Sequence, residues 1–157
     1  MNTIVSIIPY SDAYQDAFRQ LNEEWIVKYF ELEEMDKQAL NHPKEYILDK
    51  GGYIAIALWE GVAVGVCALI PCPHEGYDFE LSKMGVSPKA QGKGIGKLLG
   101  EHIIAKAKEL GAKKLFLESN RKLGPALSLY KKLGFREMTK IASPYSRSDI
   151  QMELNIN

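Results

Sequence analysis

Disulfide chemistry and polyanion binding both find little support in this sequence. It contains only two cysteines, Cys67 and Cys72, five positions apart where a predicted strand runs into a proline-containing loop. That geometry is poor for a bridge between them, so we expect free thiols in a reducing, cytoplasmic setting. Twenty lysines and arginines balance twenty aspartates and glutamates. No overall basic field therefore exists to hold nucleic acid or an anionic membrane surface.

Long apolar runs and metal-ligand spacings are missing as well. The start, MNTIVSIIPYSDAY, lacks the basic and apolar regions of an export signal. No apolar run approaches the roughly 20 residues that a membrane span needs. His42, His74 and His102 show no spacing typical of metal ligands, and His102 lies beside an apolar helical stripe, which favours packing. We therefore expect neither a membrane span nor a metal cofactor.

The chain does have enough apolar material for one compact domain over residues 1–157, since 46% of its residues are hydrophobic. The first half of the sequence predicts a strand over 3–9. A helix is predicted next, capped by Ser11 or Asp12 and continuing to about Phe30. One or two short helices follow before Gly51. Two apolar runs then meet at Glu60 and Gly61, which is typical of a hairpin, and a third strand is predicted over 77–86.

The second half opens with the clearest helical pattern in the chain. From Gly94 onwards apolar residues recur at helical spacing, and Gly111 stands where a helix commonly ends. Gly100, inside this helix, indicates close packing. We then predict a strand over 113–119, a helix over 125–133, and strands over 135–141 and 149–156.

This order of elements predicts the fold class. A strand, helix and strand after an antiparallel hairpin indicate a mixed α/β (α+β) fold, with a mostly antiparallel sheet flanked by helices. The last strand could pair within its own sheet or with a second subunit, so a homodimer stays open.

The stretch MGVSPKAQGKGIGK, residues 84–97, places glycines between a predicted strand and a helix. The phosphate-binding lysine loop does not fit, because Gln91 stands where its first glycine belongs and Leu98 where a serine or threonine must follow. The dinucleotide pattern fails too, because Lys97 or Leu99 replaces its third glycine. What remains is either an anion cradle, in which backbone amides at a helix N-terminus bind phosphate, or a tight structural turn.

Two motifs in the same order resemble the GCN5-related N-acetyltransferase (GNAT) family. ELSKMGVSPKAQGKGIGKLL resembles the family's strand, turn and helix, whose signature of Arg or Gln, two residues, Gly, one residue, then Gly or Ala is matched by Gln91, Gly94 and Gly96. PALSLYKKLGF resembles a second motif, through residues that include Tyr130 and Phe135. The resemblance covers residues 79–136 closely, and the N-terminal third carries no signature.

The resemblance implies that acetyl-coenzyme A is the cosubstrate and that backbone amides of the loop hold its pyrophosphate. The positions that match are Gln91, Gly92, Lys93, Gly94, Ile95, Gly96 and Lys97. The preceding strand is expected to bulge, so that the backbone at Met84, Gly85 and Val86 pairs with the pantetheine arm and polarises the thioester carbonyl. Plain strand packing would explain Met84 and Val86 equally well, and both roles can hold together.

The resemblance also implies catalytic roles. Tyr130 matches the tyrosine that protonates the departing thiolate, although a tyrosine in that place could equally be a helix-packing aromatic. Glu80 lies where many members place the carboxylate that deprotonates the amine, with Glu75 and Asp78 as alternatives. Many members carry an asparagine seven residues before the tyrosine, where this chain has Leu123. Asn120 is our candidate for the missing coenzyme A contact.

The acceptor is expected to be a small-molecule or peptide amine. The acidic segment that includes Glu33 and Asp36 also carries Trp25, Tyr29 and Phe30, as well as Glu23, Glu24, Glu31, Glu34 and Tyr46. It indicates either an anionic, aromatic pocket for a cationic amine or an ordinary solvated helix face. The sequence favours an acetyl-coenzyme A-dependent N-acetyltransferase. A coenzyme A-binding module without transfer activity and an enzyme for longer acyl groups remain alternatives.

Overall fold

The computed structural model describes residues 4–156, which form a seven-stranded sheet with helices on both faces. The strands are β1 (Val5–Pro9), β2 (Tyr53–Trp59), β3 (Val62–Pro71), β4 (Phe79–Val86), β5 (Lys114–Ser119), β6 (Arg136–Glu137) and β7 (Ile150–Asn155). The helices are α1 (Gln15–Tyr29), α2 (Glu34–Asn41), α3 (Ile95–Glu109) and α4 (Gly124–Lys132). The strand order is β1-β2-β3-β4-β5-β7-β6, and only β4 and β5 are parallel. The predicted mixed, mostly antiparallel fold is confirmed.

Side chains of the central strands alternate between the two faces of the sheet, and both faces are buried. In β2, Ala55 and Ala57 pack under α3 in one core cluster, while Ile54 and Ile56 pack under α1 and α2 in the other. This period of two is typical of a strand that is covered on both sides. Helix α4 packs against the same core cluster as α3. We call the two sides the α3 face and the α1 face.

Several predicted boundaries are confirmed and some are wrong. The predicted hairpin joins β2 and β3 through Glu60 and Gly61, both in the left-handed region with φ of 53° and 78°. Helix α1 starts only at Gln15, after a short 3-10 turn, and Ser11 forms no side-chain cap. Residue 3 of the predicted first strand lies outside the described residues. The predicted capping of α1 by Ser11 or Asp12 is therefore wrong, because Tyr14 occupies the N-cap position and no side chain caps the helix.

The predicted strand over 135–141 is confirmed only in part. Only Arg136–Glu137 pairs as β6, and residues 138–149 form a loop, which we call the β6–β7 loop. Tertiary contacts hold this loop against the α1 face of the sheet. The Gln151 side chain accepts from the Ile141 backbone N–H at 2.6 Å and donates to its carbonyl at 2.9 Å. β7 pairs with β5 and β6 within the sheet, so the last strand is not an edge.

Strand β4 carries the two irregularities that shape the site. Its register against β3 shifts between Val66 and Ala68, and Lys83 has φ of 52°, so β4 bulges at this residue. It pairs with β5 only through Phe79 and Glu80, after which the two strands separate. The sheet is therefore split between β4 and β5, and the predicted bulge is present.

Three further findings concern membrane-spanning helices, the two cysteines and His102. None of the helices within residues 4–156 is both long and apolar enough to cross a membrane. Both cysteines are free thiols, with Cys67 buried and Cys72 partly buried. His102 stacks on Tyr53, with a hydrogen bond of 2.8 Å between the ring nitrogen Nε2 and the tyrosine hydroxyl.

Candidate active site

A cavity of about 700 Å³ opens at the split between β4 and β5. Its walls come from β4, the glycine loop, the start of α3, the end of β5, α4, the end of α1 and the β6–β7 loop. Helices α3 and α4 lie on one face of the sheet, whereas α1 and the β6–β7 loop lie on the other. The cavity therefore joins the two faces of the sheet through the gap between the separated strands.

The N-terminus of α3 forms the first wall. Gly94 caps this helix with φ of 74°, no side chain caps the helix, and its first turn contains no acidic residue. Gly92 has φ of 83°, and no atom lies within 4 Å of where a Cβ would stand at either glycine. Backbone amides at this terminus are thus accessible, and the helix dipole favours an anion there. The loop fits the phosphates of a coenzyme A molecule on geometric grounds.

Most of the predicted cosubstrate-binding residues line this cavity together. They are Met84, Gly85, Val86, Gln91, Gly92, Gly94, Ile95, Gly96, Lys97, Asn120 and Tyr130. Lys93 is the exception, because its ammonium lies 4.5 Å from the centre of the Trp59 ring and outside the lining. Gly85 also has a packing role, since a Cβ there would stand 2.6 Å from the Leu21 carbonyl oxygen of α1.

Tyr130 reaches the cavity from α4, on the α3 face. Its ring packs edge-on against Phe135 with centroids 6.4 Å apart. Burial, and then the neighbouring Cys67, raise the pKa of the Tyr130 phenol well above its usual value. The group thus keeps its proton throughout the neutral range, so a hydroxyl is available as a donor inside the cavity.

Glu80 lines the cavity from β4, where the strands begin to separate. Burial is the main cause that raises its pKa to about 8, and the negative charge of Glu118 adds to the effect. A carboxyl with this pKa can exchange a proton near neutral pH. The two alternatives are placed elsewhere. Asp78 accepts hydrogen bonds from the Lys113 and Lys114 backbone, and neither it nor Glu75 lines the cavity.

Three aromatic side chains from the end of α1, Trp25, Tyr29 and Phe30, form the wall on the α1 face. Tyr145 and Arg147 of the β6–β7 loop complete this wall, which we call the aromatic wall. The Arg147 guanidinium lies 5.9 Å from the Trp25 ring and 4.7 Å from the Tyr145 ring. Stacking of this kind holds the loop against α1.

A buried charge network stands behind the aromatic wall. Lys83 Nζ donates to Asp36 Oδ1 and to the Tyr145 hydroxyl, each at 2.9 Å, and Arg147 binds both Asp36 oxygens at 2.7 Å. Glu33 accepts a further bond from Arg147 at 3.2 Å. Burial alone would raise the Asp36 pKa, but Arg147 and Lys83 outweigh it and lower the pKa to about 2. The network thus joins α2, the β4 bulge and the β6–β7 loop.

This network changes the prediction for the acidic N-terminal segment. Glu33 and Asp36 are neutralised by Arg147 and Lys83, and no acidic residue of the segment lines the cavity. Trp25, Tyr29 and Phe30 do line it, but Tyr46 does not. The aromatic part of the predicted pocket is present, whereas its anionic part is wrong for these residues.

Asn120 is held by bonds of its own. Its side-chain amide donates to the Arg147 carbonyl at 2.7 Å, and its side-chain oxygen accepts from the Lys122 backbone at 2.9 Å. These bonds link the end of β5 to the β6–β7 loop. Asn120 lines the cavity, and a contact with coenzyme A stays a prediction.

Sequence reasoning missed Lys83, Glu118, Arg147 and Ser148, all of which line the cavity. Lys83 lies within a predicted strand, and Arg147 and Ser148 lie in a loop that had no motif. Alternation along β5 could have identified Glu118, because Leu115 and Leu117 face the α3 core and Glu118 therefore faces the other side. Among residues 4–156, no group of three or more His, Cys, Asp or Glu side chains is arranged to hold a metal ion.

Comparison with known proteins places these features in a family. The model of the acetyltransferase (GNAT) family matches residues 11–135, which is more than half of the chain. An uncharacterised N-acetyltransferase of Schizosaccharomyces pombe is 28% identical over 138 residues, covering 86% of this chain and 82% of that protein. The match thus extends well beyond the glycine loop and the Tyr130 motif.

Solved structures show the same fold. A GNAT-family acetyltransferase from Staphylococcus aureus superposes with a TM-score of 0.87 at 21% identity, over 98% of this chain and 100% of the other. A putative acetyltransferase from Salmonella typhimurium, solved with its cofactor acetyl-CoA, gives a TM-score of 0.75 at 19% identity over 100% and 95% of the two chains.

Proposed function

Because the chain belongs to the acetyltransferase (GNAT) family, we propose that it transfers the acetyl group of acetyl-coenzyme A directly to a primary amine. The observation that carries the proposal is the cavity at the split between β4 and β5. An uncapped helix N-terminus opens onto it from the α3 face, and a carboxyl with a pKa of about 8 lies on its other side.

The residues of the cavity support a binding mode for the cosubstrate. The amides at the start of α3, together with the Lys97 ammonium, would hold its phosphates. Beyond Glu80 the edge of β4 that faces β5 has no strand partner, so backbone groups near Met84 and Val86 on that edge are available to pair with the pantetheine arm. When bound, acetyl-coenzyme A supplies an activated acetyl group in a thioester.

Glu80 and Tyr130 would each transfer a different proton, from opposite sides of the split between β4 and β5. Glu80 is the group that accepts a proton from the attacking amine, because its raised pKa suits exchange near neutral pH. Tyr130 stays protonated and supplies a proton to the sulfur. The nitrogen–carbon bond forms as the carbon–sulfur bond breaks. Glu80 takes the proton that the nitrogen loses, the sulfur takes the Tyr130 proton, and exchange through water then returns a proton from Glu80 to Tyr130. An amide of the β4 bulge stabilises charge on the thioester oxygen, a contact worth about 3 kcal/mol.

The aromatic wall would enclose the amine. Trp25 and Phe30 exclude water from one side, and the charge network fixes the β6–β7 loop on the other. A wall of this kind favours attack by the amine over hydrolysis.

A second candidate is a protein that binds coenzyme A without transfer. The observation that favours it is Leu123, an apolar side chain that lines the cavity where the family resemblance leads us to expect an asparagine. Loss of a polar contact there would weaken catalysis or binding. Tyr130 in the lining argues for the enzyme.

The test has two stages that separate these candidates. Calorimetric titration with acetyl-coenzyme A measures binding, and a thiol-release screen against polyamines, amino acids, aminoglycosides and lysine peptides measures transfer. We expect micromolar binding and amine-dependent thiol release. Binding without thiol release from any amine would support the binding module, and absence of binding would overturn both candidates. Repeating the screen with longer acyl-coenzyme A molecules tests acyl preference.

A further inference from the structure

Four carboxyl groups stand at or behind the aromatic wall, and two of them form ion pairs. Asp36 and Glu33 are paired with Lys83 and Arg147. Glu80 and Glu118 line the cavity, and within residues 4–156 no basic side chain forms an ion pair with either of them. The Lys83 charge acts on Glu80 and lowers its pKa against the effect of burial, so Glu118 is the carboxyl group of this lining for which the described residues supply no basic partner.

Glu118 lies at the end of β5, beside the split, and is partly buried. The Ser143 hydroxyl of the β6–β7 loop donates to its Oε1 atom. That bond orients the carboxylate but leaves its charge in place, and the charge contributes to the raised pKa of Glu80. A partly buried carboxylate without a counter-charge is costly, and a cationic ligand would relieve that cost.

An independent sign of a missing ligand is Ser148, in the same wall. Only 5% of this residue is exposed, and it lines the cavity. Its hydroxyl has no hydrogen-bond partner in the described part of the chain. Buried hydroxyls are normally satisfied, so this one is available to a polar group that enters the cavity.

The surface around these groups is aromatic. Trp25 and Phe30 offer a wall against which an aliphatic chain can pack. Phe30 already has the Lys122 ammonium 5.6 Å from its ring centre, which shows that a cation is tolerated beside this wall. An acceptor with charged ends and an apolar middle therefore fits the aromatic wall and the two carboxyl groups together.

We infer that the acceptor is a diamine, with one amine beside Glu80 for reaction and a second, charged ammonium bound by Glu118. This inference rests on the proposed function. Only one amine loses its proton and is acetylated, and the other keeps its charge and sets the position of the chain. An acceptor whose second group is a carboxylate is disfavoured, because that group would meet Glu118.

The test compares linear diamines with amino alcohols of the same chain length, which keep the reacting amine but lack the second charge. We expect KM for the best diamine to be at least about 10-fold below that of its amino alcohol, a difference of about 1.4 kcal/mol. In Glu118→Gln this advantage should disappear when both proteins are assayed well above pH 8, where Glu80 is ionised in each of them. Glu101→Gln, on the exposed side of α3, is the matched control and should keep it.

The outcomes separate this inference from the proposed function. Equal KM values for diamines and amino alcohols, or a Glu118→Gln variant that affects both alike, would overturn the diamine inference and leave acetyl transfer standing. Calorimetric titration of the diamine in the presence of coenzyme A adds a readout without turnover. Diamine binding that depends on Glu118, in a protein that transfers nothing, would support a diamine-binding site at Glu118 but overturn both the proposed function and the role of the diamine as acceptor.

Discussion

Lys83 and Asp36 form a buried ion pair, with Nζ and Oδ1 2.9 Å apart and side chains that are 4% and 0% exposed. One residue lies in the β4 bulge and the other in α2, so the pair ties α2, behind the aromatic wall, to the strand that lines the cavity. The Lys83 backbone lies in the left-handed region, and this conformation costs about 1 kcal/mol for a residue other than glycine. The ion pair and the bond to Tyr145 hold it there.

Asp36→Asn is expected to lower the free energy of unfolding at pH 7 by about 3 kcal/mol. The change leaves the Lys83 and Arg147 charges buried against a neutral amide, and such uncompensated charges are strongly destabilising. Urea unfolding of the purified variant measures the loss. Glu34→Gln, at an exposed neighbouring position, is the matched control and should stay within about 0.5 kcal/mol of the parent. A loss in Asp36→Asn no larger than in the control would show that the network contributes little.

Acid should weaken the same network. The Asp36 pKa is lowered to about 2, below its ordinary value, so the folded state binds this proton less readily than the unfolded chain does. The stabilisation is therefore complete above the unfolded pKa of about 4 and is lost as pH falls towards 2. Urea unfolding between pH 7 and pH 2.5 should show this loss for the parent and a shallower one for Asp36→Asn. Parallel curves for the two proteins would contradict the pairing.

Tyr130→Phe is expected to lower kcat by about 100-fold while the Kd for acetyl-coenzyme A changes less than about 3-fold. The variant keeps the ring that packs on Phe135 and removes only the hydroxyl that holds the proton. Steady-state kinetics and calorimetry give the two numbers. An unchanged kcat would remove Tyr130 as the proton donor and leave it a packing residue.

The kcat of the parent should rise with pH through about 8. Glu80 must be ionised to accept a proton, and its raised pKa means that the ionised form becomes the major form only above that value. Glu80→Gln should lose this rise and about 100-fold in kcat. Glu118→Gln should move the midpoint to lower pH, because the Glu118 charge adds to the effect of burial on the Glu80 pKa. A profile that is the same in Glu80→Gln and the parent would point to another base.

Gly94→Ala should weaken acetyl-coenzyme A binding by at least about 10-fold. Its backbone has φ of 74° at the start of α3, and a side chain there both strains the loop and enters the phosphate site. Gly111→Ala is the matched control, since φ is 85° and the residue lies after the other end of α3. Both variants should lose about 1 kcal/mol of stability. Equal acetyl-coenzyme A affinities in the two variants would show that the loop does not hold the phosphates.

Local pattern was sufficient to predict much of the fold. Apolar spacing identified α3, the Glu60-Gly61 turn identified the hairpin, and Gly100 was rightly interpreted as a close contact, because a Cβ there would stand 2.4 Å from Leu133. Of the segment 135–141, predicted as a strand, only Arg136–Glu137 pairs in the sheet, and the residues after it are held as a loop by contacts that include the hydrogen bonds between Ile141 and Gln151. Such contacts are tertiary and leave no local signal.

Some residues of the candidate site could likewise be predicted from the sequence, and others could not. The glycine loop and Tyr130 belong to the two motifs through which the sequence resembles the GNAT family, and that resemblance identified them. Lys83 and Asp36 are 47 positions apart, and their pairing, which removes Asp36 from the predicted anionic pocket, depends on the fold. The Lys93 ammonium lies over Trp59 and outside the cavity lining, whereas phosphate binding by its backbone amide stays a prediction. Side-chain direction on a loop cannot be inferred from spacing.

The central claim is that the cavity transfers acetyl groups to amines. The most direct measurement follows free coenzyme A thiol and N-acetylated amine in the same reaction, by thiol titration and mass spectrometry, across the amine panel. Our account predicts one acetylated amine for each thiol released, with both products lowered together in Tyr130→Phe and Glu80→Gln. Thiol release without acetylated amine, or tight acetyl-coenzyme A binding with neither product, would contradict it.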